Sequence, residues 1–163
     1  MKDNYNYCLE CGTKLITKYV KDEGLIPYCE SCNKLYFEKV DSAVLVILLN
    51  EKDEVCLLKQ HDVNTHHVLI AGYITPGETL EGTVAREVLE EVGIKIKTCE
   101  YIKSYYYEKK DVLMFGFKAV TNNSKLMINK AEVDDALWVE KSKVLNYLRN
   151  GSIGRQLFKE YLK

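Results

Sequence analysis

Between Arg86 and Glu91 the sequence reads REVLEE, an arginine and three carboxylates within a single turn and a half of helix. Helical positions i, i+3 and i+4 share a face, so Glu87, Glu90 and Glu91 converge on one patch. Left alone they repel, by about 0.2–0.5 kcal/mol for each pair on an isolated helix, and the negative C-terminal end of the helix adds to the field. A solvated acidic face, partly offset by Arg86, is one resolution. The other is a set of hard oxygen ligands for Mg²⁺ or Mn²⁺, whose octahedron is completed by waters and substrate phosphates. That second resolution implies a phosphate-bearing substrate.

A different metal chemistry lies near the N-terminus. Four of the six cysteines fall as Cys8-x-x-Cys11 and Cys29-x-x-Cys32, the paired-knuckle spacing of a tetrahedral thiolate site. In a reducing compartment this spacing points to Zn²⁺; the alternative is four unrelated buried thiols. Residues 1–38 are otherwise polar and cannot build a core, so bound zinc would supply the missing folding free energy, about 10 kcal/mol or more. Cys56 and Cys99 sit in strand-like contexts, where free cysteine behaves as a small core residue.

The elements that must position these groups follow from residue 39 onward. Apolar runs at Ala43 to Leu49, Val55 to Leu58, Val68 to Ala71, Ile94 to Thr98 and Val112 to Val120 predict buried strands. A helix is expected from Thr79 or Leu80 to Val92, with Thr79 as N-cap, Gly93 just past its end, and Ala85, Val88, Leu89 and Val92 facing the sheet. Two further helices are expected over 143–150 and 153–162. The reading is an α/β fold with a mixed sheet, residues 1–38 forming a zinc ribbon and 39–163 the main domain.

With Lys+Arg 23 against Asp+Glu 24, net charge gives no reason to expect general binding to nucleic acid or anionic membrane. The first residues lack an apolar leader core and the longest apolar run is too short to span a bilayer. A soluble cytoplasmic protein with no membrane partner is the expectation.

The acidic stretch sits in a larger pattern: Gly72, five residues, Glu78, seven residues, then Arg86-Glu87-Val88-x-Glu90-Glu91-x-Gly93-Ile94. This resembles the Nudix box at every defining position. The resemblance implies an α/β/α sandwich whose loop–helix–loop holds divalent metal against a diphosphate. It makes Glu87, Glu90 and Glu91 the metal ligands, with Arg86 and Glu78 bracing loop and helix and Gly72 and Gly93 permitting its turns. The implied chemistry is in-line attack of water on phosphorus, giving two phosphate-bearing fragments. Which carboxylate takes the proton is open.

A zinc ribbon ahead of a Nudix domain is similar to the NADH pyrophosphatase branch, which cleaves NAD(H) and removes NAD caps from RNA. Asp41-Ser42-Ala43-Val44, Ala71-Gly72-Tyr73 and Ser152-Ile153-Gly154-Arg155-Gln156-Leu157 carry that similarity. By it Glu132 reaches the metals from a later loop, with Asp135 as a lesser candidate, and Tyr73 stacks on a base unless it is a core tyrosine. The branch signature SQPWPFPxS aligns with Ser104-Tyr105-Tyr106-Tyr107-Glu108-Lys109-Lys110-Asp111-Val112, where Ser104 alone matches. Tyr107 holds the tryptophan place, and Tyr105 and Tyr107 either stack on a base or pack on the sheet. Longer members carry a further domain ahead of the ribbon, which is not found in this sequence.

The implied activity is a pyrophosphohydrolase acting on an NAD(H)-like dinucleotide, with ADP-ribose, nucleoside triphosphates or capped RNA as alternative substrates and a non-catalytic ligand sensor as the rival class. Candidate partners are a nucleotide or dinucleotide, NAD-capped RNA and a second copy of the chain. His61, His66 and His67 read as a surface loop, Lys59 as a lysine with no assigned role, and the ribbon as a structural clamp.

Overall fold

The structure is a computed structural model and describes residues 5–60 and 66–163, so His61 lies outside the described residues. The chain divides into two compact units, Met1–Val40 and Asp41–Lys163. The first holds a three-stranded antiparallel sheet in the order β1 (Ile16–Val20), β2 (Gly24–Cys29), β3 (Lys34–Leu35). Its described buried cluster is Cys8, Cys29 and Tyr36, too little apolar surface to fold such a segment without a cross-link or metal.

In the second unit six strands form one mixed sheet: β4 (Asp41–Leu49), β5 (Glu54–Lys59), β6 (Ile70–Tyr73), β7 (Thr98–Tyr107), β8 (Val112–Val120) and β9 (Asp135–Glu140). The order is β7-β8-β4-β5-β9, with β6 also on β4. β4 lies at the centre, parallel to β8 along its whole length and antiparallel to β6 and β5. Successive strand residues point to opposite faces, and β4 is buried on both. Val44, Val46 and Leu48 pack with Val84, Val88 and Val92 of helix α1 (Leu80–Val92). Leu45, Ile47 and Leu49 pack with Val144, Leu157 and Phe158 of α2 (Val144–Tyr147) and α3 (Ile153–Tyr161). Helices on both faces make the α/β/α sandwich that the Nudix resemblance implies.

The predicted helix over 80–92 is present, with Thr79 Oγ1 accepting from Gly82 N at 3.1 Å and Gly93 at φ 69° closing the end. Its buried stripe is rotated from the expected one. Val84 replaces Leu89, which is 45% exposed, because the sheet-facing line runs through 84, 88 and 92 and Leu89 lies about 100° away from Val88. The expected strand Ile94 to Thr98 is instead an irregular return: Ile94 is buried against the α1 layer, and the strand begins at Thr98, one residue after Lys97 N bonds Val120 O at 2.7 Å. The expected helix over 143–150 shrinks to α2 preceded by a 3-10 turn, Lys141–Lys143, and β9 was not foreseen. Among the described residues no helix is long and apolar enough to cross a membrane.

Leu157 is fully buried, and a Cβ on Gly116 would come within 2.3 Å of its Cδ1, so α3 sits as close to β8 as a glycine allows. Leu157→Ala is expected to cost about 2–5 kcal/mol, read as a lower urea midpoint at unchanged slope. A shift worth under about 1 kcal/mol would show that the α3 layer collapses around the void.

Candidate functional site

Arg86 organises the acidic segment. Its Nε donates to Glu78 Oε1 at 2.6 Å and Nη2 to Glu78 Oε2 at 3.0 Å, while Nη1 reaches Glu87 Oε1 at 2.6 Å and Glu90 Oε2 at 2.9 Å. Nη2 also donates to the Tyr73 carbonyl at 3.0 Å. One planar fork thus ties the loop, the helix and the end of β6 together, a geometry that lysine does not reproduce. Glu78 further accepts from Thr75 N at 3.1 Å and Thr83 Oγ1 at 3.0 Å. The Arg86 hydrogen bond first, and the Thr75 N–H after it, hold the Glu78 carboxyl well below the usual carboxylate range. Glu78 is a fixed anion of the scaffold.

The three glutamates of the helix divide. Glu90 is exposed, whereas Glu87 and Glu91 are 8% and 5% exposed. Gly72 makes room for Glu87: a Cβ there would lie 1.8 Å from the Glu87 Cδ. Gly72 is a strand residue of β6, not the turn glycine that was expected, and its value is the close approach of backbone and carboxylate. Burial raises the Glu87 carboxyl against the pull of Arg86. Glu91 has no such counter-charge. Burial first, then the charges of Glu87 and Glu132, push it up to about 8, and among the described residues its buried Oε2 has no hydrogen-bond partner.

Glu132 is set by a loop folded back on the helix end. Met127 N donates to Val92 O at 2.9 Å and Asn129 N to Glu91 O at 3.1 Å, satisfying carbonyls that a helix C-terminus otherwise leaves open. Asn129 Nδ2 then holds Glu132 Oε1 at 3.1 Å. Asn129 escaped the sequence reading; its Oδ1 accepts from Ala131 N at 3.1 Å, an Asx turn that shapes the loop ahead of Glu132. Asp135 opens β9 opposite Lys59, and its Oδ1 accepts from Ala136 N at 2.9 Å.

The carboxylate donors and the partnerless Glu91 oxygen suit a hard divalent cation. Among the described residues the cysteines form the one group of three or more whose ligand atoms all lie within 4.8 Å of one another. Cys8 and Cys32 Sγ are 3.8 Å apart, Cys11 and Cys29 Sγ 3.6 Å. Tetrahedral zinc with Zn–S of about 2.3 Å needs sulfur separations of about 3.8 Å, so the four thiols fit it. Gly12 at φ 71° and Asn33 at φ 51° turn the two knuckles. Tyr36 Oη lies 3.0 Å from Cys8 Sγ, and that hydrogen bond leads in lowering the Cys8 thiol to about 6.

The two aromatic candidates occupy different places. Tyr73 ends β6 and is 51% exposed. Tyr107 instead lines a cavity of about 570 Å³ on the α3 side of the sheet. His66 and His67, expected on a surface loop, are half-buried in the same cavity wall. The cause is local pairing: His67 bridges Leu148 and meets Tyr147 edge-on at 5.2 Å.

A family model described as NUDIX domain matches residues 39–161. The chain is 29% identical over 159 residues to the NAD-capped RNA hydrolase NudC of Escherichia coli O1:K1 / APEC, covering 96% of this chain and 60% of that protein. It therefore spans about 60% of the length of the curated relatives it matches. Among solved structures, a NUDIX hydrolase from Nitrosomonas europaea matches with a TM-score of 0.75 at 20% identity, covering 96% of this chain and 90% of that one. The NUDIX domain of Shewanella oneidensis NrtR complexed with ADP ribose matches with a TM-score of 0.66 at 19% identity, covering 83% and 92%.

Two measurements address the carboxylates. Gly72→Ala displaces the Glu87 carboxylate, and Mn²⁺ affinity by electron paramagnetic resonance should fall about tenfold or more with the circular dichroism retained; unchanged affinity would remove Glu87 from the ligand set. For Glu91, the folded pKa of about 8 lies above the unfolded value of roughly 4.3. The folded state then keeps a proton that the unfolded state has lost, so stability is full below the lower value and falls as pH rises toward the upper one. In metal-free protein Glu91→Gln should gain stability on the unmodified chain between about pH 4.5 and 8. Parallel pH–stability curves for the two proteins would contradict the upward shift.

Proposed function

From the membership of this chain in the NUDIX domain family we propose that it is a divalent-metal-dependent pyrophosphohydrolase acting on a nucleoside diphosphate joined to a second group, an NAD(H)-like dinucleotide foremost. The observation that carries the proposal is the pair of buried carboxylates Glu87 and Glu91, Glu87 packed against Gly72 and Glu91 Oε2 without a hydrogen-bond partner among the described residues. Glu87, Glu90, Glu91 and Glu132 would hold Mg²⁺ or Mn²⁺, and Cys8, Cys11, Cys29 and Cys32 a structural Zn²⁺. A divalent cation there supplies Lewis-acid neutralisation of the diphosphate oxygens.

The remaining work falls to the chain. Arg86 holds Glu87 and Glu90 in place against their mutual repulsion, and Glu78 fixes Arg86. Water attacks one phosphorus, the anhydride P–O bond breaks, and the water's proton passes to one of the glutamates or to Glu132, leaving two phosphomonoesters. Gly72 keeps the β6 backbone close to the acidic patch, while Tyr73 and Tyr107 are the candidates to stack on bases. NAD-capped RNA is an alternative substrate, supported by the likeness to NudC, and ADP-ribose another, supported by the NrtR domain. A second copy of the chain belongs to the same reading as partner.

The test is turnover of NADH, NAD⁺, ADP-ribose, a nucleoside triphosphate and an NAD-capped RNA with Mg²⁺ and then Mn²⁺. Cleavage of a dinucleotide to mononucleotides is expected, with Glu91→Gln slower by about 100-fold or more. No turnover across the panel, or full activity in Glu91→Gln, would leave the ligand-sensor reading in its place.

A further inference from the structure

Glu132, the carboxylate that comes from outside the helix, is exposed, and a free glutamate side chain of that kind spreads over many rotamers. The segment between β8 and β9 restrains it. Leu126 and Ile128 pack on the core cluster of the α1 layer, and Val133, one residue beyond Glu132, is fully buried in that cluster. Between these anchors the hydrogen bonds gather on Asn129. Its N–H donates to the Glu91 carbonyl at 3.1 Å, and its own carbonyl accepts from Glu132 N at 3.0 Å and Val133 N at 2.9 Å.

The half-buried Asn129 side chain completes the set. Its Oδ1 accepts from Ala131 N at 3.1 Å, and its Nδ2 donates to Glu132 Oε1 at 3.1 Å. A backbone N–H on one side and a carboxylate on the other fix which way the amide faces, since only its oxygen accepts and only its nitrogen donates. Among the described residues Asn129 is the one side-chain donor to the Glu132 carboxylate, and it engages Oε1, which leaves Oε2 for a ligand bond. Burial is the main cause that raises the Glu87 and Glu91 carboxyls, and the Glu132 charge adds to it in both, so Glu132 stands within electrostatic reach of the buried pair. One residue therefore grips the end of α1 through the Glu91 backbone and Glu132 through its carboxylate.

Resting on the pyrophosphohydrolase reading, we propose that Asn129 is a positioning residue for the divalent cation: its amide holds Glu132 in register with Glu87 and Glu91, so that the carboxylate from the loop meets the metal already ordered. Partners of this kind orient a ligand without touching the metal themselves. The role belongs to the side chain, because the backbone bonds of Asn129 are open to any residue but proline.

The experiment is a double-mutant cycle on the full chain, read as Mn²⁺ affinity by electron paramagnetic resonance, with urea midpoints measured in parallel. Asn129→Ala should weaken Mn²⁺ binding about tenfold, and Glu132→Ala by about tenfold or more. In the Glu132→Ala background the same change at Asn129 should weaken binding by less than about twofold, while its effect on the urea midpoint persists. A turn that merely stabilises the fold gives equal losses in the two backgrounds. Asn129→Ser keeps a short oxygen for the Ala131 N–H and gives up the amide donor. Its urea midpoint should stay near that of the unmodified chain while its Mn²⁺ affinity falls with that of Asn129→Ala. Full Mn²⁺ affinity in Asn129→Ser, equal losses in the two backgrounds, or unchanged affinity in Glu132→Ala overturns the proposal. A coupled cycle in a chain that hydrolyses no substrate supports it and defeats the hydrolase reading. Turnover by the unmodified chain, with Mn²⁺ affinity and kcat unchanged in Asn129→Ala, leaves the hydrolase standing and defeats this inference.

Discussion

One guanidinium sits among three carboxylates, and a fourth, Glu91, is buried beside them without one. Removing either partner from a half-buried network of this kind exposes the others to uncompensated repulsion and desolvation. Arg86 therefore decides more than its own position. Through Glu78 it fixes the loop before α1, through the Tyr73 carbonyl it fixes the end of β6, and through Glu87 and Glu90 it sets the angle at which the acidic face meets the strand edge. The sandwich supplies the rigid frame, with Val84, Val88 and Val92 anchoring the stripe of the same helix that adjoins the buried Glu87 and Glu91.

Much of this was legible in advance, because its causes are local. Thr79 as N-cap and Gly93 in the left-handed region are consequences of backbone chemistry within a turn of the residue concerned, and the Cys8-x-x-Cys11 and Cys29-x-x-Cys32 pairs carry their spacing on the surface of the sequence. The long apolar run of β4 likewise announces a strand buried on both faces. What stayed hidden depends on residues brought together from afar. Gly72 looks like a turn glycine until the Glu87 carboxylate is placed against it. β9 is recruited by β5, with Cys56 opposite Trp138, and its own short sequence alternates too weakly to declare itself. Ile94 is apolar because it closes the core after the helix, not because a strand begins there.

The two units solve the problem of stability differently. The second buries two full layers of side chains; the first, among its described residues, buries little beyond two cysteines and Tyr36. Sulfur geometry within the first unit is correspondingly tight, backed by the Tyr36 hydroxyl and by knuckle turns that use left-handed residues. Each unit thus has its own source of cohesion, one hydrophobic and one built on ligand donors.

The parallel pairing of β4 with β8, Asp41 opposite Val112 through to Leu49 opposite Val120, has a consequence in time rather than in space. The strands β5, β6 and β7 and the whole of α1 are looped out between these two partners, so closing the centre of the sheet means closing a long, highly charged loop. Non-local pairing of this kind is slow, since the entropy of closure is lost before the contacts are gained. Before that closure the acidic face of α1 lacks the completed sheet on which the helix rests. The centre of the sheet and its most densely charged edge are thereby bound into one late cooperative event.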